Sequence, residues 1–155
     1  MATTTRLPPI EELLPHRGIM LFIDRLLEFD GARATAECTP RAGAWYADGH
    51  GDMPAWIGIE LMAQTVAAHV GLQKRALGLP AKHGALLGTR RYASAVASFR
   101  AGAALEVRVA ERVRDASGLG AYDCSIAREG SELASATVKV YEPDDFAAFL
   151  EGQAT

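Results

Sequence analysis

Residues 53–72 read Met-Pro-Ala-Trp-Ile-Gly-Ile-Glu-Leu-Met-Ala-Gln-Thr-Val-Ala-Ala-His-Val-Gly-Leu. Asp52 precedes this stretch and offers a side-chain cap, and Pro54 suits a first helical turn, where no backbone N–H is needed. The residues that follow are apolar on nearly every side of a helix, which is typical of a helix that is buried all round. Three polar residues interrupt the run, and charge at mid-span is costly inside a bilayer. The stretch therefore predicts a helix over Pro54–Leu72 that the rest of a globular domain encloses.

Glu60 is the one carboxylate within this predicted helix. An ionised carboxylate in apolar surroundings must be paired, hydrogen-bonded or protonated, because leaving it bare is expensive. Gln64 lies one turn further on, at the i+4 position from which a side chain can hold the carboxylate. Two interpretations remain open at this point, a structural carboxylate satisfied by its neighbours and an acid that takes part in a reaction.

Composition limits the class of protein. The chain has 155 residues and a formal net charge of −3, with 49% apolar and 23% charged residues, which is typical of one globular domain over residues 1–155. No basic surplus indicates nucleic-acid binding. Cys38 and Cys124 are isolated and lack metal-ligand spacing. Because no apolar signal segment precedes the domain, we expect a cytoplasmic protein with two reduced cysteines.

The first half of the chain predicts a hairpin that leads into the helix. Proline-bounded residues near the start favour a short helical piece, and Asp30-Gly31 is a strong hairpin signal. Glycine and proline then end the central helix near Gly78–Pro80. In chain order the predicted elements are a helical turn at Ile10–Leu14, a strand at Met20–Phe29, its return strand at Ala32–Cys38, and a loop at Gly43–Gly51.

The second half alternates apolar and polar residues, as half-buried antiparallel strands do. Predicted strands lie at Gly84–Tyr92, Leu105–Val113, Leu119–Arg128 and Leu133–Tyr141, with turns at Asp115–Gly118 and Glu129-Gly130 and a terminal helix at Asp144–Leu150. One helix that is apolar all round suits an antiparallel sheet curled around it. The predicted class is therefore α+β, in the arrangement called the hotdog fold.

Three segments resemble the 3-hydroxyacyl-acyl-carrier-protein dehydratases of the hotdog superfamily. They are Leu-Pro-His-Arg-Gly-Ile-Met-Leu-Phe-Ile-Asp-Arg-Leu at 14–26, Asp-Gly-His at 48–50 followed by Met-Pro at 53–54, and Glu-Leu-Met-Ala-Gln at 60–64. Within this group, residues 54–64 and Leu-Gly-Thr-Arg-Arg-Tyr at 87–92 are most similar to a branch of predicted dehydratases associated with aryl-polyene-type lipid assembly. The resemblance spans about nine-tenths of the chain.

The resemblance implies a reaction without metal or cofactor, in which a histidine removes the proton alpha to a thioester. A helix carboxylic acid protonates the departing 3-hydroxyl group, and a trans-2-enoyl thioester remains. These roles would fall to His50 as base and Glu60 as acid, a pairing that suits a histidine's near-neutral titration. Gln64 would line the substrate site. The backbone N–H groups of Ala55, where the family usually has glycine, and Trp56 would polarise the thioester carbonyl.

One departure from the family concerns the spacing of base and acid. The family places fourteen positions between its histidine and its carboxylate, whereas Glu60 follows His50 by ten. The residue fourteen positions before Glu60 is Tyr46, which is no base at neutral pH. Either a shorter loop still brings His50 to the site, or the base is missing. The remaining histidines are expected at the strand entry (His16), on the helix surface (His69) and in a loop (His83).

The resemblance also implies partners. Arg90 and Arg91 would help to dock an acyl carrier protein or the phosphate of its phosphopantetheine arm, or else form a solvated strand face. The substrate would be a thioester of carrier protein or coenzyme A, and the chain would assemble as a homodimer, a larger hotdog oligomer or a hotdog heteromer. Two other functions stay open, which are hydrolysis of an acyl thioester and a non-catalytic subunit that completes an active partner.

Overall fold

The structure, a computed structural model, describes residues 6–79, 85–141 and 151–152, with residues 85–87 described by their backbone alone. It contains one long helix and eight strands in this part of the chain. The strands are β1 Arg25–Phe29, β2 Arg33–Cys38, β3 Met53–Pro54, β4 Ala85–Ser94, β5 Ser98–Phe99, β6 Leu105–Arg114, β7 Leu119–Arg128 and β8 Ser131–Tyr141, and the helix is α1 Gly58–Ala76. Short 3-10 turns lie at Ile10–Glu12, Gly18–Met20 and Ala55–Ile57.

Six of the strands form one antiparallel sheet in the order β1-β2-β6-β7-β8-β4, and β3 pairs with β5 in a small second sheet. The helix α1 packs against β2, β6, β7, β8 and β4. The first strand after the helix, β4, is therefore at one edge of the sheet, while the hairpin of β1 and β2 is at the other. This arrangement confirms the predicted hotdog fold.

The core lies between α1 and the inner face of the sheet. Alternate residues of each strand point inward, because successive side chains of a strand point to opposite faces. In β6, β7 and β8 the alternating buried residues are Leu105, Val107, Val109, Tyr122, Cys124, Ile126, Ala134, Ala136 and Val138. Burying a Val- or Leu-sized side chain contributes about 1.5–3 kcal/mol each, so this alternation holds the sheet on the helix. Both cysteines are free and buried, and burial raises the pKa of each thiol to about 12.

The central helix begins later than the sequence predicts. Met53 and Pro54 pair with Phe99 and Ser98 as a short strand, and a 3-10 turn intervenes before α1 starts at Gly58. The predicted cap is wrong, because the Asp52 carboxylate accepts the Ala101 N–H at 2.9 Å and makes no bond to the helix. Tertiary pairing with the segment before β6 therefore takes the place of a local cap.

The predicted end of the helix near Gly78 is confirmed. α1 ends at Ala76, Gly78 has a φ of +70°, and the Leu79 N–H donates to the Lys74 carbonyl oxygen at 2.9 Å. This left-handed ending is one that glycine adopts without strain.

One face of α1 is open in the single chain, which corrects the expectation of burial all round. Glu60, Ala63 and Ala67 are only partly buried, and Trp56 in the preceding turn is 63% exposed. These positions recur at helical spacing and so lie on one side of the helix. The prediction that His69 lies on the helix surface is also wrong, because its side chain is fully buried.

The first strand starts at Arg25 instead of Met20, because a helix side chain takes the backbone groups of the preceding residues. Gln64 bonds the Phe22 N–H and the Met20 carbonyl, so this segment cannot join the sheet. The hairpin at Asp30-Gly31 is confirmed, since the Asp30 carboxylate accepts the N–H groups of Ala32 and Arg33.

The strands β2, β6, β7 and β8 agree with prediction to within two residues, and so does the end of β4, whose described range begins at Ala85, whereas the short strand β5 is not predicted from the sequence. The turn at Asp115–Gly118 is closed by a hydrogen bond from the Gly118 N–H to the Asp115 carbonyl. Glu129 and Gly130 both have positive φ, as a tight hairpin turn requires. Pro80, His83 and the predicted terminal helix at Asp144–Leu150 lie outside the described residues.

Candidate functional site

Glu60 lies in the first turn of α1, on the open face of the helix. Its side chain is 37% exposed in the single chain, so it reaches solvent or a ligand without leaving the helix. Gln64, one turn later, donates from Nε2 to the Glu60 Oε1 at 3.2 Å. This confirms the contact that the i+4 spacing predicts.

Gln64 is fully buried. Hydrogen bonds hold its amide group in place, so the amide can in turn hold the Glu60 carboxylate. The Phe22 N–H donates to the Gln64 Oε1 at 3.0 Å, and the Gln64 Nε2 donates to the Met20 carbonyl at 2.7 Å. A buried polar group left unpaired costs about 1–3 kcal/mol, so the amide holds one orientation. The same side chain thus positions Glu60 and ties the segment before β1 to the helix.

His16 lies beside Glu60, with its Nε2 3.7 Å from the Glu60 Oε1. Its side chain is 29% exposed, and its Nδ1 is buried with no hydrogen-bond partner among the described residues. The sequence predicts only a strand-entry role for this residue. One sequence feature indicates a role at the site. His16 belongs to the same motif, residues 14–26, as Met20 and Phe22, whose backbone groups bind Gln64.

Arg17 fixes the backbone around His16. Its Nη1 donates to the carbonyl oxygens of Leu14 at 2.5 Å and His16 at 2.7 Å, and its Nη2 donates to the carbonyl of Glu11 at 2.7 Å. These three hydrogen bonds from one planar guanidinium hold the chain that connects the 3-10 turns at Ile10–Glu12 and Gly18–Met20. The backbone that carries the His16 imidazole is therefore held in place by Arg17.

His50 lies elsewhere, on an exposed turn before β3. The Asp48 carboxylate accepts the N–H groups of His50 at 2.9 Å and Asp52 at 3.0 Å, and its other oxygen accepts the Ser98 hydroxyl at 2.6 Å. The Ser98 hydroxyl and these N–H groups hold the pKa of Asp48 below its usual value. Among the described residues, no hydrogen bond or ion pair joins the His50 ring to Glu60, so its role as base stays a prediction.

Tyr46, fourteen positions before Glu60, has a structural role. Its hydroxyl accepts the Arg41 N–H at 3.0 Å, and its ring packs 6.0 Å from that of Phe22 and 5.9 Å from that of Trp45. Burial raises the pKa of this phenol, which places it further from the role of a base at neutral pH.

The two backbone donors predicted for the thioester carbonyl differ. The Ala55 N–H donates to the Ala97 carbonyl at 2.9 Å, so it is engaged in the single chain, and its role towards a thioester stays a prediction. The Ala55 carbonyl in turn accepts the Tyr92 hydroxyl. The Trp56 N–H lies in the 3-10 turn that leads into α1, at the end where backbone donors lack intrahelical acceptors, so its role in polarising a carbonyl stays a prediction.

Large apolar side chains lie exposed around the same end of the helix. Trp56 precedes Glu60 by one turn, and the Trp45 Nε1 donates to the Ile19 carbonyl at 3.1 Å. The exposed set at this end is Ile19, Met20, Trp45 and Trp56, here called the apolar rim. Exposed apolar groups that cluster around a polar group are typical of a binding surface.

Arg90 and Arg91 are exposed on the edge strand β4, at a bulge where Arg91 has a φ of +57°. Neither makes an ion pair with another residue in the described part of the chain. Their role in carrier docking stays a prediction. Across the described ranges there is also no group of three or more His, Cys, Asp or Glu side chains arranged to hold a metal ion, and no helix long and apolar enough to cross a membrane.

Comparison with protein families gives one match. A family model described as ApeP dehydratase matches residues 8–151. No match was found among curated protein sequences.

Comparison with solved structures gives many matches of the same fold. One chain of the dehydratase heterocomplex ApeI:P from Xenorhabdus doucetiae is similar with a TM-score of 0.89 and 21% identity, over 97% of this chain and 100% of that chain. The PaaI protein from the phenylacetic acid degradation operon of E. coli is similar with a TM-score of 0.59 and 18% identity, over 76% and 82%. A hypothetical thioesterase with coenzyme A from Streptococcus pneumoniae TIGR4 has a TM-score of 0.59 and 10% identity, over 76% and 84%. At these identities the likeness shows the fold.

Proposed function

The chain belongs to the ApeP-like dehydratase family, and from this premise we propose that it removes water from a 3-hydroxyacyl thioester to give a trans-2-enoyl thioester. The thiol carrier would be an acyl carrier protein or coenzyme A, in assembly of a fatty-acid- or polyene-type chain. The reaction needs a base for the C2 proton and an acid for the departing hydroxyl group.

The observation that carries this proposal is the fixed, accessible carboxylate of Glu60 beside an imidazole. Glu60 is held by Gln64 at 3.2 Å and faces the His16 Nε2 at 3.7 Å. A carboxylic acid and an imidazole are the two kinds of proton-transfer group that a dehydration uses. The apolar rim beside them suits the hydrocarbon part of an acyl thioester.

We assign the acid role to Glu60, which protonates the 3-hydroxyl group as the C3–O bond breaks. We also propose that the Trp56 N–H, in the 3-10 turn that leads into α1, polarises the thioester carbonyl. Arg90 and Arg91 supply local positive charge on a chain of net charge −3, which suits the acidic or phosphorylated part of a carrier.

The resemblance assigns the base to His50. His50 is exposed, and no bond to Glu60 is seen among the described residues, so we infer that this assignment requires an assembly in which His50 meets the carboxylate of a second chain. The in-chain partner of Glu60 is His16, which makes the identity of the base a separate question from the reaction itself.

The reaction is tested by mass spectrometry of 3-hydroxyacyl thioesters on carrier protein and on coenzyme A, incubated with the full chain. Dehydration leaves the acyl group on its thiol and lowers its mass by one water. Loss of the whole acyl group from the thiol would contradict the proposal and favour a hotdog thioesterase instead.

A second candidate function is that of a subunit that needs a different hotdog partner. Two observations favour it, which are the open face of α1 and the similarity to one chain of ApeI:P, a dehydratase that is a heterocomplex. In that case the chain alone would show no turnover, and activity would appear when a second hotdog chain is added. Glu60 variants made in this chain would then tell whether its own site or the partner's site carries the reaction.

A further inference from the structure

We propose that Asp48, together with Ser98, is a positioning residue that holds His50 in the place from which it acts as the base. The inference rests on the proposed function and on His50 as its base, and it deepens both by naming the side chains that fix the base. Asp48 itself touches neither the substrate nor the reacting atoms. His50 meets the carboxylate of a second chain, so the base and the acid belong to different chains.

The turn that carries His50 has to be held in place, because its own backbone is permissive. Gly49 and Gly51 flank His50, and glycine adopts more backbone conformations than any other residue. Gly51 has a φ of +82°, which lies in the left-handed region. His50 is exposed in the single chain, so burial of its ring does not fix the turn. Hydrogen bonds to the backbone must supply the restraint.

The Asp48 carboxylate supplies three of the hydrogen bonds that hold this turn. One oxygen accepts the N–H groups of His50 at 2.9 Å and Asp52 at 3.0 Å. The other oxygen accepts the Ser98 hydroxyl at 2.6 Å. The Gly51 N–H also donates to the Asp48 carbonyl, and the Asp48 N–H donates to the Asp52 carbonyl, both at 2.9 Å. The backbone of His50 is therefore tied to a closed turn through one side chain.

Ser98 attaches this turn to the rest of the domain. It lies in β5, which pairs with β3 directly before the 3-10 turn that leads into α1. Because the Ser98 hydroxyl donates to Asp48, the turn is fastened to this small sheet. The Asp52 carboxylate adds a second attachment, since it accepts the Ala101 N–H at 2.9 Å. His50 is thereby fixed relative to the body of the domain and not only within its own turn.

The bonds of Asp48 require acceptor oxygens in fixed places, and they go to backbone and hydroxyl groups instead of the imidazole. The Ser98 hydroxyl and the N–H groups of Asp52 and His50 hold the pKa of Asp48 below its usual value. The carboxylate is therefore ionised at neutral pH and acts only as an acceptor, which matches the three donors that face it. A general base must lie within hydrogen-bond reach of its proton, and a misplacement of about 1 Å can cost roughly 10² in rate.

The test compares two variants of Asp48 in the full chain, with its hotdog partner added if the wild type requires one. Asp48→Ala removes all three acceptors, so we expect kcat for dehydration to fall by roughly tenfold to 10². KM should stay unchanged, because a misplaced base slows proton transfer without weakening binding. Asp48→Asn offers one oxygen to the two N–H groups and an amide N–H to the Ser98 hydroxyl oxygen. It should therefore keep kcat within about threefold, since the geometry survives the loss of charge.

Asp115→Ala is the matched control, because Asp115 holds another turn by the same kind of bonds. Its carboxylate accepts the N–H and the hydroxyl of Ser117 and the N–H of Leu119. This turn between β6 and β7 carries no residue of the proposed reaction. We expect Asp115→Ala to leave kcat unchanged even if its melting temperature falls as far as that of Asp48→Ala. Circular dichroism and the melting temperature establish that each variant is folded.

A double-mutant cycle decides whether Asp48 acts through His50. His50→Ala has no base to position, so adding Asp48→Ala to it should leave kcat within about twofold, whereas independent effects would multiply. Multiplied effects, wild-type kcat in Asp48→Ala, or wild-type kcat in His50→Ala would each overturn the inference. If Asp48→Ala does not fold, Ser98→Ala replaces it, with a smaller fall in kcat expected and an unchanged kcat as the contrary result. An active wild type distinguishes these failures from failure of the proposed function, which a wild type that removes no water would refute.

Discussion

Gln64 is the residue on which the geometry of the candidate site depends. Its amide bonds Glu60, the Met20 carbonyl and the Phe22 N–H, and so it places the acid and the segment behind His16 in one frame. Groups that are held in place in this way are typical of preorganised sites.

At this scale we predict that Glu60 is needed for activity and not for folding. Glu60→Gln keeps the size of the side chain and can still accept from Gln64, but it cannot donate an acidic proton. Dehydration should therefore fall by roughly 10² or more, with the melting temperature unchanged to within a few degrees. Turnover measured by mass spectrometry and thermal unfolding check the two halves of this prediction.

Glu28→Gln is the matched control, because Glu28 is exposed on β1 and should leave turnover unchanged. A Glu60→Gln chain that unfolds, yet keeps its activity under conditions where it folds, would show that the carboxylate is structural.

At the scale of elements, the start of α1 depends on how closely it approaches the sheet. A Cβ atom at Gly58 would lie against the Tyr92 hydroxyl, 3.0 Å from the Ile126 Cδ1 and 3.3 Å from the Phe99 Cε2. The Tyr92 hydroxyl is itself engaged with the Ala55 carbonyl. The glycine therefore allows the helix, the 3-10 turn and the edge strand β4 to meet.

We predict that Gly58→Ala lowers the free energy of unfolding. Overpacking costs about 1–3 kcal/mol, while alanine in place of glycine gains at most about 1 kcal/mol in a helix. Urea unfolding would measure the difference. Gly43→Ala is the control, because nothing lies within 4 Å of a Cβ there, and equal stability of both variants would contradict the prediction.

The other end of the helix holds a buried polar network. The His69 Nδ1 lies 3.2 Å from the Tyr122 hydroxyl, and its Nε2 lies 3.3 Å from the Asp30 carbonyl, which can only accept. Neutral His69 therefore donates from Nε2 and accepts at Nδ1. The Tyr122 hydroxyl also donates to the Glu111 carboxylate at 3.2 Å, so its one proton is shared between Glu111 and the His69 Nδ1, which lies 3.9 Å from the same carboxylate. Gln73 donates to Glu111 at 3.0 Å and accepts from Arg114 at 2.8 Å.

At the scale of the whole molecule, this network predicts a pH dependence of stability. Burial holds the pKa of His69 below its ordinary value of 6.5, against the raising effects of the Asp30 carbonyl and Glu111. The unfolded chain therefore binds a proton at a higher pH than the folded chain does, so stability rises with pH across this window. The stabilising contribution is complete above about pH 6.5 and is lost as the pH falls below it.

Urea midpoints measured between pH 7.5 and pH 5 at constant ionic strength would check this dependence. The His69→Gln variant should be less stable at neutral pH and should show a shallower fall between these values, because it has no imidazole to protonate. The same slope in both proteins would contradict the role of His69.

The sheet ends in β4, a ten-residue strand with no neighbour on its outer side within the described part of the chain. An exposed edge of this length is a template for pairing, and the open face of α1 with the apolar rim also lacks cover. We predict at least a dimer, homomeric or with a related hotdog chain, that pairs along this edge. Light scattering at micromolar concentration should give a mass of two or more 16.5-kDa chains. If the sample contains every subunit that activity requires, the mass of a single chain would contradict the predicted dimer.

The sequence by itself determined the fold class and most element positions. Alternation in Leu119–Arg128 placed β7 at its observed bounds, and the apolar run after Pro54 placed the central helix. The i+4 contact of Glu60 with Gln64 was also predictable. These features are encoded locally, since the repeat of a strand or helix decides which side chains share a face.

Tertiary structure alone decided which groups meet. It brought His16 to Glu60, buried His69 against the sheet, and turned the Asp52 carboxylate towards Ala101. It also engaged the Ala55 N–H with the Ala97 carbonyl. Each of these contacts joins residues distant in sequence, so it depends on how whole segments pack and on which buried polar groups must find partners. A local pattern of residue types carries no record of that choice.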